Sequence, residues 1–437
     1  MNLVKIFNLK LTDLNKKEII FIFLIYVLII ITASLLFCKL YSEKYPYMVD
    51  ENFNLILKNI PFHHGELIEN LFNSWKLEQT YLDIKFVLLK MPILPIFITL
   101  ISKISLNFYF IVITKNILLF SLLFFVIFFC LKSINVKTKY FGLFILSIFY
   151  NPYNVLTSLN FEYEDFLIII ILPSIFCLLI SKLKNRYYLI SVLFFFLYLT
   201  KTSMFILCIV LPLLILFYEK SEEQKIKKFL PSLAIVIAIF SWGSFGYFKT
   251  GKFPFGPTLS SINSNALSVA LNKNFNLIYP NKSVDLIEDQ YVISKEIENE
   301  WEFFNYFQKK NNEYLKNNFT RYLKDSFIKL KFIFFGIHKD GVHPDKDGNF
   351  KNPIRYSNIF NKIILNTALI IAVIIFFKNI RYFYKNQIEF YFLSIFSLNI
   401  FTHIVAWATS KHLVAISIIG GFYLILKLSK KTKKFSS

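Results

Sequence analysis

Apolar runs alternate along this chain with short stretches rich in lysine. Residues 18–38 form the first run, about 20 residues long, which is enough to cross a hydrocarbon core. It follows a short basic N-terminus with Lys5, Lys10, Lys16 and Lys17. The run is long for a signal-peptide core, and no small-x-small cleavage pattern ends it, so it reads as a retained span. Further runs at 108–131, 140–156, 166–181, 230–248, 358–377, 388–408 and 412–426 read as spans too. Residues 187–199 and 204–218 make a tight pair joined by the turn TKTS, with Lys201 in the turn. The pattern predicts about ten spans with both ends inside. Basic residues check that number independently. Every expected inner segment holds at least three lysines or arginines, whereas the short outer loops hold only Lys201 and Lys411.

Two long outer segments interrupt the alternation. The first, 39–107, opens with YSEKYPYMVDENF, in which Asp50 and Glu51 are adjacent. It continues through GELIENLFNSWKLEQTYLDIKF, which has the period of an amphipathic helix. It closes on KMPILPIFITLISKI, where Pro92, Pro95 and the short apolar length predict an interfacial or re-entrant helix. The second outer segment, 249–357, begins rich in Gly, Pro and Ser and turns helical over 285–337. Its apolar stretch 327–337 is too short to span. The expected fold is therefore all-α: a polytopic integral membrane protein with outer amphipathic helices and loops. It divides into residues 1–38, the outer loop 39–107, membrane helices at 108–248, the outer helical region 249–357 and membrane helices with a basic tail at 358–437.

Composition narrows the class. Of 437 residues, 55% are hydrophobic, 19% aromatic and only 18% charged, a balance that soluble domains rarely show. The net charge of +21 would suit nucleic acid, but the cations collect in the expected inner segments, where they set topology. No nucleic-acid partner is expected. Cys38, Cys130, Cys177 and Cys208 lie in or beside apolar runs without a CxxC pattern, so no disulfide framework is implied. No internal repeat is evident, which argues against transporter folds built from duplicated halves.

Few residues are placed for chemistry. Asp50 and Glu51 stand just beyond the first span, where a partly desolvated carboxylate would have the raised pKa of a general base. Glu162, Glu164 and Asp165 form a second outer acidic cluster, SLNFEYED. Oxygen ligands from the two loops, Asp50 and Glu164, would suit a divalent cation such as Mg or Mn that neutralises a phosphate leaving group. Lys201 fits two roles, a lysine snorkelling at a span end or a point charge on a lipid phosphate. Lys411 and His412, in WATSKHLV, are either interface anchors or further positive charge for the same phosphate. The loop HKDGVHPDKDGN, with His338 and His343, matches no zinc or calcium signature, and turn chemistry explains it more simply. His63-His64 is a weaker signal still. No phosphate-cradling glycine loop, nucleophile elbow or HExxH is present, and no organic cofactor is expected.

Several stretches together resemble the GT-C superfamily of polytopic glycosyltransferases, which includes protein mannosyltransferases and the aminoarabinose transferases of lipid A. They are VDENF after the first span, the proline-punctuated KMPILPIFITLISKI, and NPYNVLTSLNFEYEDFL with its acid leading into a span. The lysine-bearing hairpin FFFLYLTKTSMFILCIVLPLLIL and the helical YLKNNFTRYLKDSFIKLKFIFFG add to it. The chain departs from the pattern at Asn317-Asn318, where relatives often have a proline, and at SKHLV, where they often have an arginine. The resemblance implies transfer of a sugar, with inversion, from a polyprenyl-phosphate donor to a glycan, lipid or protein acceptor outside the membrane. It implies Asp50 as general base, Glu51 or Glu164 orienting the acceptor or a divalent ion, and Lys201 steadying the donor phosphate. The abundance of Phe, Ile, Lys and Asn together suits an AT-rich genome and favours a bacterial inner membrane, with a eukaryotic lumenal membrane as the alternative, and the charge pattern puts both termini in the cytoplasm. Two rivals stand beside it. A flippase for lipid-linked sugars would place charges in mid-span, and a surface polysaccharide polymerase or ligase would lean on outer-loop bases such as Arg321 or Arg355.

Overall fold

A computed structural model describes residues 16–44, 46–60, 64–81, 83–134, 164–218, 226–258, 297–335, 351–405 and 413–434. These residues are mostly helical. Where expected spans fall on them, a helix is found, beginning with α1 (Lys16–Lys44) at the first run; between the spans, residues 39–107 hold α2 (Gly65–Ser74) and α3 (Ile93–Ser102). Next come α4 (Phe108–Ser133), α5 (Asp165–Ile180), α6 (Arg186–Thr200), α7 (Phe205–Tyr218) and α8 (Leu230–Thr250). The remainder are α9 (Glu300–Asn317), α10 (Phe319–Phe335), α11 (Lys351–Lys378), α12 (Gln387–Val405) and α13 (Val414–Lys434). The expected span 140–156 lies outside the described residues.

Four helices among the described residues are long and apolar enough to cross a membrane: Glu18–Lys39, Phe108–Ser133, Lys227–Thr250 and Ile359–Lys378. That is fewer than the alternation of runs predicts. Several of the others are apolar but short. At 1.5 Å per residue, the 16 residues of α5 reach about 24 Å, less than a hydrocarbon core of about 30 Å.

The reason is visible in α5 itself. Its sequence DFLIIIILPSIFCLLI is apolar all round, and every one of its residues is buried. A helix without a polar face belongs in an interior, and α5 packs against α4, α6, α12 and α13. Its C-terminal carbonyls find donors: Arg186 Nη1 to Ser181 O at 2.6 Å and Leu179 O at 3.2 Å, and Gln387 Nε2 to Leu179 O at 3.0 Å. Around this hub lie helices with an exposed apolar stripe. Leu24 and Leu28 on α1, Leu233, Ile237 and Phe240 on α8, and Ile363, Ile370 and Ile374 on α11 are all exposed. Such stripes are a liability in water and suit lipid. Another small core forms where α10, α11, α12 and α13 meet, around Ile333, Leu365, Phe396, Ile400 and Ile416. Lys427 pairs with buried Glu389, which also accepts from Tyr423 Oη at 3.2 Å, joining α12 to α13.

The segment 39–107 departs from the helical pattern its sequence predicts. Its amphipathic helix stops at Ser74, because Trp75 takes a left-handed backbone, φ 56°, and its N–H closes on Leu71 O at 3.1 Å. The remainder is an antiparallel hairpin of β1 (Gln79–Tyr81) and β2 (Ile84–Phe86), with Gln79 opposite Phe86. α3 is only 10 residues long and packs against α2 and α4 with Leu94, Ile98 and Ile101 buried.

One carboxylate ties the segment before α4 to the segment after α8. Glu300, in the first turn of α9, accepts from Val87 N and Leu88 N, both at 2.9 Å, and from Thr258 Oγ1 at 2.5 Å. Burial nonetheless pushes its carboxyl above the ordinary value. Phe303 and Phe307 follow on the same helix and pack on Ile84, Phe86 and Leu89. After α8 the chain folds back so closely that a Cβ on Gly243 would collide with the Phe253 ring.

Candidate functional site

The site is built from the first three residues at the head of α5. Each of them meets a lysine from a different part of the chain. Glu164, at the N-cap position, has Lys90 Nζ at 3.8 Å. Asp165 Oδ1 has Lys201 Nζ at 2.6 Å. The Phe166 ring has Lys115 Nζ at 4.2 Å from its centroid, and Lys115, from α4, is completely buried. Acidic residues suit the positive N-terminal end of a helix dipole, so the local sequence ED at this point is unstrained.

His64 completes the cluster. Its Nε2 stands 3.5 Å from Glu164 Oε1, and the side chain is 1% exposed against 12% for Glu164. Its position is set by the next residue. A Cβ on Gly65 would strike the carbonyl oxygens of Lys58 and Ile60, so α2 starts hard against the turn Leu57–Asn59. Burial works to raise the Glu164 carboxyl, but Lys90, His64 and Lys201 together outweigh it and hold the group below the ordinary carboxylate range. Lys90, Lys201 and an imidazole thus face two carboxylates in a largely buried space, with Lys115 on the adjoining Phe166 ring. Lys201 reaches Asp165 because the chain leaves helical geometry there, with φ −152° and ψ 126°, between α6 and α7.

Asp50 is placed differently from expectation. Its carboxylate is exposed and bonds within its own loop. Oδ1 accepts from Asn52 N and Asn54 N, both at 2.8 Å, and Oδ2 from Asn54 Nδ2 at 3.1 Å. These bonds, led by the Asn54 backbone N–H, lower its pKa rather than raise it. The loop is a tight one, with Val49 bridged to Leu55 and Phe53 at φ 58°. It is sewn to the start of α4 by Leu55 N to Leu106 O and Phe108 N to Phe53 O, at 2.8 and 2.9 Å. Glu51 is exposed in the same loop.

Of the expected residues, then, Glu164 and Lys201 come together, while Asp50 and Glu51 make no contact with them. Glu162, Lys411, His412, His338 and His343 lie outside the described residues. His64 gave only the weak signal of the His63-His64 pair, and Lys90 and Lys115 are not among the expected residues. Lys115 did carry a signal, as a charge inside an apolar run. Among the described residues no group of three His, Cys, Asp or Glu side chains is placed for a metal. The surroundings of Glu164 do not fit the divalent cation considered above, since ammonium groups stand where oxygen ligands are needed. Comparison with family models, curated proteins and solved structures finds no match. The functional reading therefore rests on the residues themselves.

Proposed function

We propose that this chain is a membrane glycosyltransferase of the GT-C kind, with about ten spans, that takes a sugar from a polyprenyl-phosphate donor at the outer face. The single observation that carries this reading is the convergence of Lys90, Lys115 and Lys201 on residues 164–166. Lys90 and Lys201, beside the imidazole of His64 and held in a low-dielectric space, suit an anionic phosphate. In the proposed reaction the acceptor hydroxyl oxygen attacks the anomeric carbon and the bond from that carbon to the phosphate oxygen breaks. The electron pair leaves with the phosphate. The leaving group is anionic from the start, so charge stabilisation by Lys201 and Lys90 matters more than an acid catalyst. Asp50, an exposed carboxylate and so ionised near neutral pH, takes the hydroxyl proton in this reading, the role that the resemblance implies for it. Its loop is attached to the head of α4, the helix that also carries Lys115.

The test is a transfer assay in lipid nanodiscs with a panel of polyprenyl-phosphate sugars, beside mass analysis of lipid-linked sugars in cells lacking the gene. Wild type turns over one donor, that donor accumulates in the deletion strain, and Lys201→Ala loses about 10²-fold or more in rate. Unchanged lipid-linked sugars in the deletion strain, or full activity in Lys201→Ala, overturns the proposal.

A second reading has one observation of its own. Lys115 lies completely buried inside α4, a helix long enough to span, as a path for a lipid-linked anion would require. Sealed vesicles separate the two: a transporter moves intact donor across the bilayer, and the transferase splits it on one side.

A further inference from the structure

We propose that the corner formed by the end of α2 and the end of α3 is a bilayer anchor, seated in a headgroup layer that contains anionic lipid. This inference does not depend on the chemistry proposed above. Trp75, at the end of α2, is 58% exposed, and Leu100 and Ile104, at the end of α3, are 51% and 73% exposed. Leu100 and Ile104 are four residues apart and share a face. Lys103 lies between them in sequence and extends over two rings, 4.8 Å from the Phe72 centroid and 5.2 Å from that of Trp75. The corner is therefore apolar, aromatic and cationic at once, the composition that settles at a membrane–water boundary.

Two further observations select lipid as the occupant. The corner is continuous with a lipid-suited surface. α4 starts at Phe108, just past Ile104, and its exposed Phe110, Leu118, Leu122 and Phe125 line one helix face. The corner thus marks the level at which α4 enters the hydrocarbon. The backbone at Trp75 is also left-handed, φ 56°, a conformation that glycine adopts freely and tryptophan does not. A strained backbone carrying a large exposed ring points to a use for that ring. Lys103 supplies the positive charge that favours anionic headgroups, while the neighbouring Lys76 is paired with Glu78 at 3.9 Å.

The experiment uses the full-length protein in nanodiscs of phosphatidylcholine with phosphatidylglycerol. The other tryptophans are replaced by phenylalanine, leaving Trp75 as the fluorophore. Nitroxide lipids labelled high on the acyl chain should remove most of the Trp75 emission, lipids labelled near the chain end less, and aqueous iodide little. Trp242 is buried, and its replacement can disturb folding. An independent arm therefore places a spin label on Ile104→Cys, with the four native cysteines all buried. That label should be more accessible to oxygen than to a water-soluble nickel chelate. Lys103→Gln should abolish the shift in Trp75 emission that added phosphatidylglycerol produces. Strong iodide quenching of Trp75 with no effect of labelled lipid, or a nickel-accessible label at residue 104, overturns the proposal.

Discussion

Asp50 shows how one residue can satisfy a sequence pattern and still be used differently from expectation. An acidic pair after a first span suggests a desolvated base, yet Asp50 spends its carboxylate on the backbone of its own turn. An asparagine keeps an oxygen acceptor at that place and an alanine does not. Asp50→Asn should therefore leave the 48–56 loop as resistant to proteolysis as wild type, while Asp50→Ala makes it susceptible. Equal protection of both variants contradicts the turn role. If Asp50→Asn also abolishes transfer, the residue serves chemistry as well as shape. The pH dependence has a definite sign. The folded pKa lies below the ordinary 3.8, so the turn's stability is present above that value and is lost as pH falls through the folded pKa. Loss of protection on raising pH through neutrality instead contradicts it.

At the residue scale, Glu164 and Lys201 were legible in sequence because charges stand out at the ends of apolar runs. His64 and Lys90 were not. Nothing in their spacing reveals that the turn at 57–60 presses on Gly65, or that the segment before α3 brings Lys90 to the head of α5. Those are long-range contacts, and a local pattern carries no information about them.

Elements show the same division. Helices α4 to α8 fall where the apolar runs predict, since length and composition suffice for them. The β1–β2 hairpin was hidden because KLEQTYLDIKF keeps a helical period in its charges while Trp75 and Asp83 take left-handed geometry, φ 56° and 64°. The role of Glu300 was equally hidden. It sits in an ordinary acidic first turn, yet holds the amides of Val87 and Leu88, far away in sequence. Glu300→Gln turns one acceptor into a donor facing those amides and should weaken the docking of α9 by about 1–3 kcal/mol. Hydrogen exchange at the Val87 and Leu88 amides reads this directly. Faster exchange there, with α12 and α13 unchanged, is expected, and unaltered exchange at both amides contradicts the clamp. Gly65→Ala should disturb the start of α2 similarly and move His64 away from Glu164, because the clash is with backbone carbonyls that cannot swing aside.

Over the whole molecule, the expected number of spans and the number of helices long enough to cross differ for a physical reason. An apolar run reads alike whether lipid or protein surrounds it. α5 is apolar on every side and wholly enclosed, so its 16 residues need not match a bilayer. Around it the exposed stripes of α1, α4, α8 and α11 make the surface that lipid would cover. This arrangement brings lysines from the stretch before α3, from α4 and from the α6–α7 turn to one end of the hub. The central claim is that this end seats the phosphate of a polyprenyl lipid. Native mass spectrometry of the purified protein, released from detergent with added polyprenyl phosphate or the neutral polyprenol, tests it most directly. The account predicts that wild type retains the phosphate lipid and not the alcohol, and that the double variant Lys90→Ala, Lys201→Ala, still folded, retains neither. Equal retention of polyprenyl phosphate by wild type and the double variant would contradict it.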